Sequence, residues 1–379
     1  MKILVSAPGK TILHGEHAVV YGKAAIAVSL SLRTSLTLVT TEEQKVSVNL
    51  KSLNLHKEWD LTALNSYNLP EMSGDIISAN DELIEQIMKI FNISSPEYSS
   101  DIEKNAIVAF LYLWIYVSKS YNVRSFFSCH VIVDSELSIG AGMGSSASYS
   151  VCLSTAMLML CGRITPRLLP EDKEIINKWA FETERIFHGK PSGIDNSICT
   201  YGGALLFKNG VVSDILTNIP NINILLVDTK VPRNTKVMVV NVKEKLDTYP
   251  VVIESIMAAI EGITNESWKF FKDFNQSTTN TTNVKSLQEL VDINQHLLSA
   301  LGVSHTKIDK ISEVAKKYDC SCKLTGAGGG GCAFIVLPSK TEKSEFLIKD
   351  LIEELERNGF GVWNLFLGTP GVQAEFQNS

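Results

Sequence analysis

Four stretches of this sequence hold residue types that could do chemistry. The first is Gly140-Ala141-Gly142-Met143-Gly144-Ser145-Ser146-Ala147, set between a strand-like segment and an apolar helix-like one. Glycines let the backbone approach an anion and turn its N–H groups inward, and a helix N-terminus behind them adds unpaired donors and a positive dipole end. The Ser145 and Ser146 hydroxyls could bind phosphate oxygens or a Mg²⁺ ion. The plainer alternative is a glycine-rich turn with a serine helix cap. The second stretch, Lys323-Leu324-Thr325-Gly326-Ala327-Gly328-Gly329-Gly330-Gly331, has five glycines in its last six positions. So many glycines cost folding entropy, which suits a cleft wall needing close backbone approach better than a loose surface loop.

The third runs from Ala7 to His17 and reads APGKTILHGEH. Lys10 follows Pro8-Gly9 directly after a strand, so a tight turn there would send its ammonium into a cleft. His14, Glu16 and His17 match neither zinc-protease spacing, and His14 reads better as a core histidine. The fourth pairs Glu184, near a helix end, with Asp195, in a loop beyond the breakers Gly189, Pro191 and Gly193. One could bind metal and the other accept a proton, although solvated surface charge is the commoner meaning of such a pair.

Several better-known phosphate motifs fail on spacing. Gly9-Lys10-Thr11 resembles the end of a Walker motif, but the first required glycine falls on Leu4. Gly142-x-Gly144-x-x-Ala147 satisfies a relaxed dinucleotide fingerprint, yet no second strand ending in an acidic residue follows about 20 residues on. The DFG and HRD triplets of protein kinases are absent.

These residues need elements to position them. Period-two alternation predicts strands over 2–6 and 24–39, separated by a polar stretch from Pro8 to Gly22. Helices are expected over 81–91, 101–121, 145–161, 171–188, 285–301, 304–317 and 341–358, and strands over 128–133, 222–228 and 332–337. The helix at 145–161 is apolar nearly all round, which predicts burial at the centre of its domain. A turn is expected at Pro232 and a polar surface loop over 275–283. With a boundary near 218–222, the pattern predicts a two-lobe α+β protein, 1–220 and 221–379, with one glycine-rich loop in each lobe and the ligand cleft between them.

At 379 residues, 45% hydrophobic and 20% charged, the chain is long enough for a large core and too apolar for disorder. A formal net charge of −6 without a basic tract disfavours nucleic acid as a partner. The longest apolar run, Ala106 to Val117, is too short to span a membrane. Seven scattered cysteines and no export signal predict a reduced, cytoplasmic protein.

Taken in order, SAPGKTILHGEHAVVYGKAAIAVSL, the 140–147 loop, HGKPSGIDN and KLTGAGGGGCAF resemble the GHMP kinase family, and within it most closely the branch acting on mevalonate. The resemblance spans essentially the whole chain. Ser138-Ile139 stands where the family usually has a proline, and Met143 where it has a leucine. The family likeness implies ATP-dependent phosphorylation of the 5-hydroxyl of mevalonate, on the route to isoprenoids and sterols, on a two-lobe fold with the active site between the lobes. It implies that residues 140–146 cradle the ATP phosphates with help from Ser135, and that Ser146 and Glu184 hold Mg²⁺. Asp195 would be the general base and Lys10 the cation facing both Asp195 and the γ-phosphoryl group. His17, Thr235 and Ala327 would line the substrate pocket. A homodimer and inhibition by prenyl diphosphates competing with ATP are also implied. Two alternatives stand beside it: another small-alcohol kinase of the same family, which could share every phosphate-handling residue, and a nucleotide-binding sensor without activity, which would be expected to have lost Lys10, Glu184 or Asp195.

Overall fold

The computed structural model describes the chain except residues 62–75, 94–97, 122–125, 233, 277–283, 339–341 and 378–379. Its first half runs β1 (Lys2–His14), β2 (Ala25–Thr40), β3 (Lys45–Leu50), β4 (Leu55–Asp60), α1 (Asp81–Ile90), α2 (Asp101–Ser120), β5 (Cys129–Ser135), α3 (Ser145–Leu160), α4 (Pro170–His188), α5 (Ile194–Tyr201), β6 (Ala204–Lys208) and β7 (Val211–Leu216). The second half runs β8 (Ile222–Asp228), α6 (Thr235–Thr248), α7 (Pro250–Gln276), α8 (Val284–Ala300), α9 (Thr306–Lys317), β9 (Ser321–Leu324), β10 (Cys332–Val336), α10 (Glu342–Arg357), β11 (Gly361–Leu367) and β12 (Gln373–Gln377).

The strand β2 joins everything. Its residues 25–28 pair with β6, 34–40 pair with β5, most of its length pairs with β1, and Leu30 meets Leu367 of β11. The strands of both halves thereby form one path, β4-β3-β5-β2-β11-β8-β10-β9, with β1 and β12 and the β6–β7 hairpin branching from β2. Alternation explains the hub: Ile26, Val28, Leu30, Leu36 and Leu38 are all buried.

Three apolar clusters fill the fold. One packs α2 and α3 against the first-half strands, one lies under α9 and α10, and the third, with Leu30, Leu226 and Phe334, sits where the halves meet. In α3 every residue from Ala147 to Leu160 is buried, because α2, α4, α5 and the β1–β2 ladder enclose it. The chain end returns to the first half, since β12 pairs with β1. Arg33 fixes that return by donating to the Ser6 hydroxyl and to the carbonyls of Ser6, Pro370 and Gly371, at 2.8–3.0 Å.

The expected helices and strands are present within a few residues. The clearest difference is β1, which continues through the stretch expected to be irregular. Two register shifts absorb the irregularity, between Pro8 and Lys10 and between Ile12 and His14, so β2 keeps pairing beyond them. The loop expected over 275–283 lies mostly outside the described residues. All seven cysteines are free thiols. Among the described residues no helix is long and apolar enough to cross a membrane.

Candidate active site

The site is built outward from the first shift in β1. Where the ladder slips past Gly9, the Lys10 N–H donates to the Met143 carbonyl at 2.8 Å. Only glycine allows this approach, since a Cβ at Gly9 would lie 2.9 Å from the same carbonyl oxygen. The expected tight turn before Lys10 is therefore a bulge within a continuous strand, and it fastens the 140–144 loop to β1. The same bulge aims the lysine inward, where Nζ lies 3.0 Å from Asp195 Oδ1.

Gly140, Gly142 and Gly144 have φ of 76°, 76° and 74°. Alternating left-handed residues make a concave backbone whose N–H groups converge. Gly144 is also the N-cap of α3, and no side chain caps that helix end. The serine cap considered above does not form. The helix thus presents its amino end, with its partial positive charge, to an incoming anion.

The two carboxylates come from consecutive helices. Gly193, with φ 83°, caps and starts α5, so Asp195 sits in a first helical turn and not in the loop expected for it. Glu184 is only 2% exposed and accepts from the Ser146 hydroxyl (3.3 Å) and the Ser150 hydroxyl (3.2 Å). His188, one turn along α4, brings Nε2 to 3.2 Å from Ser146 Oγ and 3.6 Å from Glu184 Oε2. Burial first, and then the negative charge of Asp195, push the Glu184 pKa up to about 8. Burial lowers the His188 pKa.

The fit of a divalent cation can be tested on this arrangement. Glu184 is a buried carboxylate whose neutral hydroxyl partners leave its charge uncompensated, and the nearest ammonium, Lys10, is paired to Asp195. A carboxylate and a serine hydroxyl are hard oxygen donors of the kind Mg²⁺ takes, with its other positions left to water and phosphate. Among the described residues no group of three or more His, Cys, Asp and Glu could hold a metal. The residues present fit Mg²⁺ bound jointly with a phosphorylated ligand.

Two cavities meet at Lys10. The larger, about 440 Å³, has a polar end formed by Gly140, Gly142, Gly144, Ser145, Ser146 and Asp195, with Ser135 beside it. The apolar side chains of Leu53, Ile102, Ala106 and Phe187 also line it, beside Ser52 and Asn105. The smaller, about 170 Å³, is lined by Lys10, Thr11, Ala141, Met143, Thr235 and Ala327, among others. Of the expected loop residues, Ala141 and Met143 therefore face the smaller cavity, and Gly142 faces both. His17 lines neither, but its Nε2 lies 2.8 Å from the Ala327 carbonyl oxygen, bracing that wall. His14 is fully buried, with Nδ1 3.0 Å from Asn294 Nδ2 and no partner for Nε2 among the described residues. It belongs to the core, although incompletely satisfied.

Residues 107–203 match the GHMP kinases N terminal domain, and residues 276–347 match GHMP kinases C terminal. A mevalonate kinase of Bos taurus is 40% identical over 380 residues, spanning 98% of this chain and 94% of its own. The mevalonate kinase of Homo sapiens is 39% identical with the same coverage. The chain belongs to the GHMP kinase family, in its mevalonate kinase branch. Among solved structures, the Methanococcus jannaschii mevalonate kinase superposes with a TM-score of 0.71 at 25% identity, covering 96% of this chain and 97% of that one. The L. major mevalonate kinase, solved in complex with R-mevalonate, shares the fold with a TM-score of 0.69 at 22% identity, covering 96% and 95%.

Within this GHMP kinase the sequence reading passed over His188 and Thr11. His188 stands four residues after Glu184 in a helix, so the spacing alone puts the two on one face. Thr11 adjoins Lys10, and its hydroxyl lies 2.9 Å from that of Thr325 in the wall of the smaller cavity.

A pH dependence follows from Glu184. Because folding raises its pKa, the carboxyl contributes stability that is present below the ordinary carboxylate range and is lost as pH rises through about 8. Thermal unfolding midpoints of the metal-free protein between pH 6 and 8.5 should therefore fall less in Glu184→Gln than in the parent. Mg²⁺ with nucleotide should flatten the parent curve, since the cation replaces the proton. Equal slopes for the parent and Glu184→Gln would contradict the assignment.

Proposed function

We propose that this GHMP kinase transfers the γ-phosphoryl group of ATP to the 5-hydroxyl of mevalonate, giving 5-phosphomevalonate and ADP on the route to isoprenoid and sterol precursors. The observation that carries the reading is the place of Lys10, which lines both cavities and is paired to Asp195. A phosphoryl donor in the larger cavity and a hydroxyl acceptor in the smaller would meet at this lysine. Phosphoryl transfer asks for in-line placement and charge neutralisation more than for covalent help, and these residues supply both.

The polar end of the larger cavity holds the triphosphate on the 140–144 backbone, the α3 amino end, Ser145 and Ser146. The apolar side chains of its lining, Leu53, Ile102, Ala106 and Phe187, accept the base. Ser146 and Glu184 would hold Mg²⁺, which would neutralise phosphate charge when bound. Mevalonate lies in the smaller cavity against Thr235 and Ala327, with His17 keeping the Ala327 backbone in place. Asp195 takes the proton from the 5-hydroxyl, and Lys10 offsets charge on Asp195 and on the moving phosphoryl group.

The lobes divide near residue 220, and the protein acts in the cytoplasm. Exposed Val237, Val240, Val251 and Val252 on α6 and α7 offer an apolar face for a homodimer. The apolar side chains lining the larger cavity, together with its phosphate loop, suit a prenyl diphosphate competing with ATP. Sedimentation as a 41.7 kDa monomer at micromolar concentration would refute the dimer. Undiminished activity with farnesyl diphosphate at low ATP would refute the inhibition.

ADP release should appear with mevalonate and stay at background with phosphomevalonate, homoserine and galactose. Asp195→Asn should lose roughly 10²–10⁴-fold in kcat with substrate binding nearly intact, and added Mg²⁺ should not restore it. Glu184→Gln should weaken metal-nucleotide binding and recover partly with excess Mg²⁺. Metal rescue of Asp195→Asn would reverse the two roles.

A further inference from the structure

Behind the smaller cavity lies a buried polar cluster that the mechanism does not use. The Lys323 side chain is fully buried. Its Nζ donates to the Glu16 carboxylate and to the Leu324 carbonyl at 2.8 Å, and it sits 5.0 Å from the centre of the Phe334 ring. The other Glu16 oxygen accepts from Asn294 Nδ2 at 3.4 Å, and the same nitrogen reaches His14. The next residue of α8, Gln295, accepts the Leu324 N–H at 2.9 Å. Two adjacent amides of one helix thus grip both the β1 end and the β9 end.

Both gripped segments lead directly into the smaller cavity's wall. His17 follows Glu16 and lies against the Ala327 carbonyl. Thr325 follows Leu324, lies 2.9 Å from Thr11 and donates to the Ile12 carbonyl at 3.1 Å. No residue of the cluster lines the larger cavity. We propose that the Glu16–Lys323 pair, held on α8 by Asn294, is a positioning device that sets the acceptor wall 325–327 relative to Lys10. Lys323 and Asn294 are accordingly positioning residues for the phosphoryl acceptor, and they do not serve the nucleotide.

Each member of the pair holds the other in place. Two desolvated charges are tolerated only while they face each other and their remaining hydrogen bonds are satisfied. Burial alone drives both towards neutrality, raising the Glu16 pKa and lowering that of Lys323. Without the ammonium, the carboxylate must take up a proton or move towards water. Either change releases His17 and Thr325 from their set positions. A small displacement of a reacting partner is costly in phosphoryl transfer, because the donor and acceptor oxygens must stay in line.

This inference rests on the acceptor occupying the smaller cavity, and the experiment separates the two. Lys323→Met keeps length and apolar volume but removes the charge, and Glu16→Gln/Lys323→Met also removes the stranded carboxylate. With mevalonate and ATP, both variants should raise the acceptor KM by about tenfold or more, while the ATP KM and the Kd of a fluorescent ATP analogue stay within about twofold of the parent. The double variant should recover thermal stability relative to Lys323→Met and still keep the raised acceptor KM. Asn294→Ala, which removes the donor to Glu16 without burying a second carboxylate beside it, probes the same wall if Lys323→Met does not fold, and it should shift the acceptor KM in the same direction. An unchanged acceptor KM in folded variants, or equal changes in both KM values, would overturn the positioning role. Failure of the parent protein to turn over mevalonate would instead overturn the functional reading beneath it.

Discussion

The ion pair between Lys10 and Asp195 is the interaction around which the rest of the site is arranged. Nothing local makes it. The lysine comes from a bulge in the first strand, and the aspartate from a helix that starts almost two hundred residues later. They meet because α5, which carries Asp195, packs against β1, and because α3 packs between the β1–β2 ladder and helices α4 and α5. The lysine side chain is 11% exposed and the aspartate 34%, so the pair is shielded on one side and open to a ligand on the other. In that setting the ammonium is partly desolvated, and on the proposed reading it would act on an arriving phosphate.

The surrounding electrostatics follow from the same placement. With a net charge of −6 the protein cannot attract a nucleoside triphosphate by its overall field, so the attraction must be local. On the proposed reading it would come from one ammonium, one uncapped helix end and the backbone of a loop with three left-handed glycines. Glu184 lies within this positive neighbourhood but is paired to hydroxyls, and its high pKa marks a carboxylate that lacks a cation. On the proposed reading, a divalent ion bound with the nucleotide would supply it. The protein thus leaves part of its charge balance to the ligands, which couples nucleotide binding to the metal.

Much of this was legible in the sequence, and the reasons differ by element. The strand β2 and the helix α3 were plain because their apolar spacing is extreme: one alternates, and the other is apolar on every face. The glycine loop announced its chemistry because few residues other than glycine tolerate φ near 75° three times in five positions. The continuation of β1 through Pro8-Gly9 was hidden, since a bulge leaves a sequence that looks like a turn. Asp195 was expected in a loop because Gly193 reads as a breaker, whereas in the fold it begins the next helix. The helix α6 is hard to read because most of its surface is exposed and its periodicity is weak, whereas α7 carries a readable stripe, Ile253, Met257, Ile260, Trp268 and Phe271, behind Pro250 at its start. Lys323 was seen only as part of a glycine-rich run. Its partner Glu16 lies 307 residues away, and no local pattern reports such a contact.

The account's central claim is that Lys10 and Asp195 act as one unit at the junction of the two cavities. A double-mutant cycle on kcat tests it most directly, using Lys10→Met, Asp195→Asn and the two combined. Residues that act as a unit give strongly non-additive losses, so the combined variant should be about as slow as the slower single one. A combined loss equal to the product of the two single losses would show that the residues act independently, and would contradict the account.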